Sequence, residues 1–197
     1  MKPDKLSSLW LGGTCLLIAM MIVLGGATRL THAGLSIVEW KPITGMIPPL
    51  SSTDWQNLFQ LYQQFPEYQQ INQQMTLSDF KFIFWMEYAH RLLGRFVGIF
   101  FVIPLMKFWQ QLSPSLRYRC LFILGLGLVQ GIVGWYMVKS GLDKAPVVSP
   151  YRLTLHLGLA FILYAFTFWT LLEHLRHRAD TRKQPPFPTV IILGLQF

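Results

Sequence analysis

Long stretches without a charged side chain constrain the fold of this sequence more than any other feature. Leu6–Thr28 and Cys120–Val138 carry no charge, and His156 is the only acidic or basic side chain between 153 and 172. A helix that crosses a bilayer needs about 20 mostly apolar residues. Together with an apolar region at 80–108, the pattern predicts four spanning helices, at about 9–27, 80–108, 120–138 and 153–172.

The fold class that follows is an all-α membrane protein, a four-helix transmembrane bundle with a long loop, 28–79, between its first two helices. A further apolar stretch begins near Val190, after Pro185, Pro186 and Pro188, and is expected to be the start of a fifth helix. We therefore expect a four-helix half over residues 1–183. A linker and the start of a truncated second half are expected over 184–197.

The composition excludes several classes of protein. Of the 197 residues, 52% are hydrophobic and 13% are charged, against about 25% charged in soluble domains. An ordinary soluble enzyme, a disordered chain and a disulfide-stapled domain are therefore not expected. The net charge of +8 lies in the gaps between the apolar stretches, so we expect no nucleic-acid partner. Cys15 and Cys120 form no C-x-x-C motif and are predicted to be buried apolar side chains.

The basic residues predict the orientation of the helices. The long segment from Thr28 to Lys81 holds only Arg29, Lys41 and Lys81 as basic residues. Because cytoplasmic segments are enriched in Lys and Arg, we expect a cytoplasmic N-terminus and an external first loop. The first apolar stretch is too long for the core of a signal peptide and is predicted to be a retained helix. The basic residues expected on the inner side are Lys2, Lys5, Lys107, Arg117, Arg119, Arg176, Arg178, Arg182 and Lys183.

The long loop is predicted to be folded. Trp55, Leu58, Phe59 and Tyr62 recur at helical spacing, which indicates a short amphipathic helix. It is expected to lie on the outer leaflet or to cover a site below it. Thr76-Leu-Ser-Asp79 is typical of a capping box at the start of the second spanning helix. Outside the spanning helices, His32, His174 and His177 are expected to be loop residues.

Two histidines are the strongest candidates for chemistry. The separation in sequence between His90 and Lys107 equals the separation between His156 and Glu173, the first charged residue after each histidine's apolar segment. Both imidazoles are thus expected about 26 Å above the inner boundary, at one depth near the outer face. A zinc site usually needs four ligands, whereas haem iron needs only axial ligands, and histidine is a common one. The pair therefore favours a haem and its iron, although histidines that only bond across helices would give the same pattern.

Other polar and small residues surround the pair. Glu87 shares the His90 face, and Gly94 with Gly98 would let a flat group approach that helix or would serve helix packing alone. A buried carboxylate is a candidate for catalysis or for pairing with Arg91. Haem propionates need cations, and four arginines are expected near the outer side, namely Arg29, Arg91, Arg95 and Arg152.

Several segments carry a resemblance to a known family, the haem A synthases. It extends over roughly residues 9–172, in Gly25–Pro42, Met75–Leu77, Phe80–Arg91, Gln130–Leu142 and Ser149–His156. It implies eight spanning helices in two four-helix halves, and an enzyme that oxidises the ring-D methyl of haem O to a formyl group. In this resemblance His90 and His156 match the histidine pair of the N-terminal half, and Glu87 matches a glutamate proposed to assist catalysis. The second half of such proteins usually holds haem b.

The resemblance also implies a bacterial inner-membrane location, haem O as substrate, and haem O synthase and an electron-transfer protein as partners. A homo-oligomer is left open. Unlike some members, this sequence has no cysteine pair in its first loop. Two alternatives remain at this point. One is a b-type haem carrier or electron-transfer cytochrome without oxidation chemistry, and the other is a structural membrane subunit without haem.

Overall fold

All regular elements of the chain are helical in the computed structural model, which describes residues 3–41, 44–143 and 145–183. Four of the helices are long and apolar enough to cross a membrane, as predicted. The predicted start of a fifth helix lies outside the described residues. The helices are α1 (Pro3–Leu30), α2 (Ser52–Tyr62), α3 (Pro66–Gln70), α4 (Leu77–Phe108), α5 (Pro114–Leu142) and α6 (Pro150–Lys183).

The last spanning helix is longer than predicted. It was expected to end near 172, but α6 continues to Lys183. Residues 173–183 contain neither Gly nor Pro and are rich in strong helix formers such as Leu, Arg and Glu, so the helix continues beyond its apolar part. The prediction that His174 and His177 lie in a loop was therefore wrong, since both lie on α6.

Helix starts follow from local capping chemistry. The side chain of Thr76 accepts a hydrogen bond from Asp79 N, and the Asp79 carboxylate accepts one from Thr76 N. This confirms the predicted capping box of α4. Ser51 and Asp54 form the same box at α2, and Ser113 caps α5 just before Pro114. Each box satisfies backbone donors that a helix start leaves without a partner.

The end of α1 is set by a residue in the left-handed conformation. His32 has a φ of 51°, its N–H donates to Arg29 O, and Ala33 N donates to Thr28 O. These two bonds form a Schellman motif, in which glycine usually occupies the position of His32. The motif turns the chain back over the bundle, so that residues 36–41 contact α4 between Ile83 and Arg95.

The four long helices form a ring. α1 packs against both α4 and α6, α5 packs against α6, and α4 touches α5 only slightly. Thus α4 and α6 lie across the bundle from each other. One end of the bundle is closed by an apolar core that includes both the Trp10–Phe101 ring pair and Cys120. The two cysteines are buried free thiols, as predicted.

The opposite end, here called the loop end, is covered by the folded loop. The predicted amphipathic helix is α2, and its Trp55 packs edge-on against Phe84 of α4 with ring centroids 4.9 Å apart. The short helix α3 was not predicted. The buried residues of this second core are Ala33, Trp55, Tyr62, Phe80, Ile83, Phe84 and Tyr88.

A band of the bundle between the two cores has no fully buried side chain among the described residues. It comprises 19–27 of α1, 89–100 of α4, 124–140 of α5 and 150–162 of α6. Helices of a tightly closed bundle would bury a stripe of side chains at every level. The band holds both histidines of interest, so it is where a functional site is sought.

Candidate functional site

The two histidines of interest lie on helices at opposite corners of the ring. His90 lies on α4 and His156 on α6, and their imidazoles are within electrostatic range of each other. Both side chains are half-buried. Two imidazoles in one band of the bundle offer ring nitrogens that a single ligand can bind.

Each imidazole lies against a glycine of the neighbouring helix. A methyl group built on Gly25 of α1 would lie 3.0 Å from His90 Nε2, and one built on Gly134 of α5 would lie 2.9 Å from His156 Cε1. Real side-chain carbons rarely approach other atoms this closely. The rings therefore occupy space that any other residue at these positions would fill.

Gln130 of α5 holds the backbone of α6 beside His156. Its Nε2 donates to His156 O at 3.1 Å and lies 3.5 Å from His156 Nε2. His156 Nδ1 and Gln130 Oε1 are buried and have no hydrogen-bond partner. A buried polar atom without a partner costs free energy, about 1–3 kcal/mol. Both atoms belong to residues of the band that holds the histidine pair.

The described residues contain no group of three or more His, Cys, Asp or Glu side chains able to hold a metal ion. The histidine pair therefore suits an ion that brings most of its own ligands. An iron porphyrin is such a ligand, because the macrocycle supplies four nitrogens and the protein only axial groups.

Glu87 lies on the same helix but is held by the loop. Its side chain is 3% exposed, and its Oε2 accepts hydrogen bonds from Ser36 Oγ at 2.7 Å and Ile37 N at 2.8 Å. Its Oε1 accepts from Nε and Nη2 of Arg91. The carboxylate thus has four donors and fastens residues 36–37 to α4.

Two of the candidate arginines also bind the loop. Arg91 Nη2 donates to Ile37 O at 2.8 Å, and Arg95 Nη2 donates to Lys41 O at 3.2 Å. Both line a cavity of about 420 Å³ between the loop and α4. Arg91 is still within electrostatic range of His90, so its positive charge acts on the band from the loop end.

The remaining predicted site residues are more scattered. Arg152, one helical turn before His156, donates to Tyr136 O at 2.8 Å and lies 3.7 Å from the centre of the Tyr136 ring. It lines a cavity of about 520 Å³ at the loop end of α5 and α6. Arg29 is exposed at the end of α1, and Gly94 faces Met21 at an ordinary packing distance.

The loop carries a buried acid of its own. Glu67 of α3 is 6% exposed, and burial raises its pKa to about 7. Tyr62 OH donates to Glu67 Oε2 at 3.0 Å and accepts from Asn72 Nδ2 at 2.8 Å. Burial also raises the pKa of Tyr62. The protonation of Glu67 therefore changes near neutral pH.

Sequence reasoning assigned no role to Gly25, Gly134 or Gln130. A signal did exist for Gln130, because an amide without a hydrogen-bond partner costs free energy in lipid. An amide inside a charge-free spanning helix therefore indicates a contact with another helix. For the glycines no local signal existed. Their importance depends on contacts with histidines that lie on other helices, far away in sequence.

These features define a class, a multi-pass α-helical membrane protein with a histidine pair in a loosely packed band beneath a folded loop. Comparison with known proteins narrows the class. The family model for COX15-CtaA, a cytochrome oxidase assembly protein, matches residues 8–196. The chain belongs to this family.

The curated relatives of the chain support this family membership. The chain is 53% identical to a protein named Heme A synthase from Nitrosomonas eutropha, over 82% of this chain and 46% of the relative. For proteins of the same name, identity is 48% for Paramagnetospirillum magneticum, over 90% and 51% of the two chains, and 52% for Nitrosospira multiformis, over 86% and 48%. The chain spans about half the length of these relatives. No solved structure matches it significantly.

Proposed function

We propose that residues 1–183 form a haem-binding half of a haem A synthase, an oxidoreductase that converts the ring-D methyl of haem O to a formyl group. The observation that carries this proposal is that His90 and His156 both lie in one band without fully buried side chains. The names of the curated relatives support the reaction. The segment 184–197 is proposed to lead into a second half.

In this proposal His90 and His156 would hold the haem, either as ligands of its iron or as residues that flank it. His90 is steadied by Gly25, and His156 by Gly134 and Gln130. Haem O supplies both the iron that these nitrogens bind and the methyl group that is oxidised. A site that offers two imidazoles and a flat space fits such a ligand.

The arginines are proposed to bind the haem propionates. Arg152 is the best placed, one turn from His156 and beside a cavity at the loop end. Arg91 and Arg95 contribute positive charge while bound to the loop, and Arg29 marks the end of α1. Gly94 keeps the band side of α4 free of a side chain. Charge-assisted bonds to carboxylates of this kind fix orientation as well as affinity.

Glu87 is proposed as the catalytic carboxylate. Oxidation of a methyl group on the macrocycle draws electrons from it, and a fixed negative charge nearby stabilises positive charge that develops there. The four donors to Glu87 hold its carboxylate in one position. Its role is then electrostatic rather than that of a freely moving base.

The proposed setting is the bacterial inner membrane, with the N-terminus in the cytoplasm and the loop end in the periplasm. Lipid surrounds the four helices, and haem O arrives from haem O synthase. An electron-transfer protein is the further proposed partner, with association of two copies also open to test. The apolar spans support the membrane setting.

The test is an optical spectrum and pyridine haemochrome assay of the purified chain. The proposal expects bound haem in the wild-type protein and its loss in His90→Ala and in His156→Ala. His177→Ala, which alters an exposed histidine at the far end of α6, is the matched control and should keep full haem content. A wild-type chain that binds no haem when expressed with a haem O supply would overturn the proposal.

One observation favours a second candidate, a b-type haem carrier without oxidation chemistry. Two of the four donors to Glu87 belong to the loop, and Arg91, which supplies the other two, also donates to Ile37 O. Holding the loop is thus a sufficient structural reason for this residue. The two candidates differ in the wild-type chain. The synthase predicts that the wild-type chain makes haem A and that Glu87→Gln, measured at a temperature where it is still folded, binds haem but makes none. The carrier predicts that neither chain makes haem A.

A further inference from the structure

Two glycines stand out because they contact the histidine rings and not merely a neighbouring helix. The Cβ positions of Gly25 and Gly134 fall at 3.0 Å and 2.9 Å from the imidazoles of His90 and His156. The same construction at Gly26 and Gly131 meets nothing within 4 Å. Ordinary packing also brings a ring this close to a glycine, since Phe100 Cζ lies 2.9 Å from the Cβ position of Gly13. The feature particular to Gly25 and Gly134 is that the ring they contact is an imidazole.

The two contacts repeat one arrangement. In each case the histidine lies on one helix of a packed pair, α4 with α1 or α6 with α5, and the glycine lies on the other. The ring of His156 lies broadly on Gly134, whose Cβ position is 2.9 Å from Cε1, 3.4 Å from Nδ1 and 3.6 Å from Nε2. His90 instead approaches Gly25 with Nε2, which is 3.0 Å from the Cβ position, while Cδ2 is at 3.6 Å and Cε1 at 3.9 Å. Each imidazole thus lies directly against a helix position without a side chain.

We propose that Gly25 and Gly134 are positioning residues for the histidine pair, which set the distance and tilt of both imidazoles toward a shared ligand. This inference rests on the proposed function. A methyl group at either position pushes the ring away from its helix and into the space between α4 and α6. Since axial ligation tolerates little displacement, the outer support of a ligand commonly changes metal affinity by about 10- to 100-fold.

The test uses the full chain in detergent, titrated with haem b as the probe. Gly25→Ala and Gly134→Ala are expected to bind it about 10- to 100-fold more weakly and to shift the spectrum from low-spin, six-coordinate haem toward high-spin haem. Gly26→Ala and Gly131→Ala are the matched controls on the same two helices. They should keep the wild-type affinity and spectrum.

Helix propensity cannot explain such a difference, because alanine favours helix over glycine at all four positions. Thermal unfolding of the haem-free variants is measured alongside. Positioning predicts that all four unfold at or above the wild-type temperature. Wild-type spectra in both Gly25→Ala and Gly134→Ala, or equal loss in the controls, would overturn the inference.

A second pair of variants tests the contact between Gly134 and the His156 imidazole by replacing that side chain with free imidazole. In His156→Gly, free imidazole added to the solution should restore low-spin haem by taking the place of the missing side chain. In the double variant His156→Gly with Gly134→Ala, the methyl group occupies that place, so imidazole should fail. Equal rescue of both variants would contradict a positioning role for Gly134. A wild-type chain that binds no haem would instead count against the proposed function.

Discussion

Nε and Nη2 of Arg91 both donate to one carboxylate oxygen of Glu87, at 2.9 and 2.6 Å, across a single turn of α4. The other oxygen accepts its two bonds from residues 36 and 37 of the loop. One buried ion pair therefore joins a spanning helix to the segment that follows α1. The loop position depends on a charge pair that has little access to solvent.

Removing the negative charge of this pair should destabilise the protein strongly. In Glu87→Gln the guanidinium of Arg91, 14% exposed, is left without its counter-charge, which typically costs about 3–5 kcal/mol. The measurement is thermal or denaturant unfolding in detergent. Glu173→Gln breaks the more exposed pair with Arg119 and should cost less than about 1 kcal/mol. Equal losses in the two variants would refute this account of the buried pair.

Replacing His32 with glycine should stabilise the protein. A non-glycine residue in the left-handed region carries about 1–2 kcal/mol of conformational strain, so His32→Gly should raise the free energy of unfolding by about 1 kcal/mol. His32→Ala is the control, since it removes the same side chain and keeps the strain. An alanine variant as stable as the glycine variant would mean that the imidazole, and not the backbone, is responsible.

The loop should be more stable in mild acid than at alkaline pH. Glu67 has a pKa raised from 4.5 to about 7 by burial, so the folded loop binds its proton more tightly than the unfolded loop does. The resulting stability is fully present below about pH 4.5 and is lost as pH rises through about 7, by roughly 3 kcal/mol in all. Hydrogen exchange at the amides of Ile71 and Asn72, corrected for intrinsic rates, measures it.

Two variants check the source of this pH dependence. Glu67→Gln should abolish it, because the amide does not titrate. Tyr68→Phe, which alters a neighbouring side chain and leaves Glu67 buried, should retain it. A slope that persists in Glu67→Gln would assign the titration to another group.

Gln130 should contribute a modest part of the α5–α6 contact. Gln130→Leu removes the donor to His156 O, and interhelical hydrogen bonds in membranes are worth about 0.6 kcal/mol, rarely above about 1.7. Unfolding in detergent should show a loss of this size, together with weaker haem binding. Val129→Leu, on an exposed face of the same helix, should be neutral. A loss of haem binding in that control would point to a general effect on α5.

The spanning helices and the amphipathic α2 were predictable because their signals are local. Absence of charge over the length of a spanning helix, or rings at helical spacing, depends on no distant contact. The count from His90 and His156 to the charged residues that follow each apolar segment likewise uses only the uniform rise of a helix. The equal depth that it gives for the two imidazoles stays a prediction.

Other features depend on contacts that spacing does not encode. The backing of His90 by Gly25 and the loop contacts of Glu87 arise when residues far apart in sequence meet. The Schellman motif at His32 was missed because glycine usually marks that position. The extra length of α6 was missed because the prediction ended the helix where hydropathy falls. The helix propensity of residues 173–183 stays high beyond that point.

The division of the bundle into two cores separated by a loosely packed band has a thermodynamic consequence. Folding alone buries side chains fully near both ends, and a ligand bound at the level of the histidines, as in the proposed function, would add burial there. Ligand occupancy and resistance to heat are then linked quantities. A ligand at 100 times its dissociation constant should add about 2.7 kcal/mol to the free energy of unfolding. The melting temperature thus measures the fraction of the protein that has ligand bound.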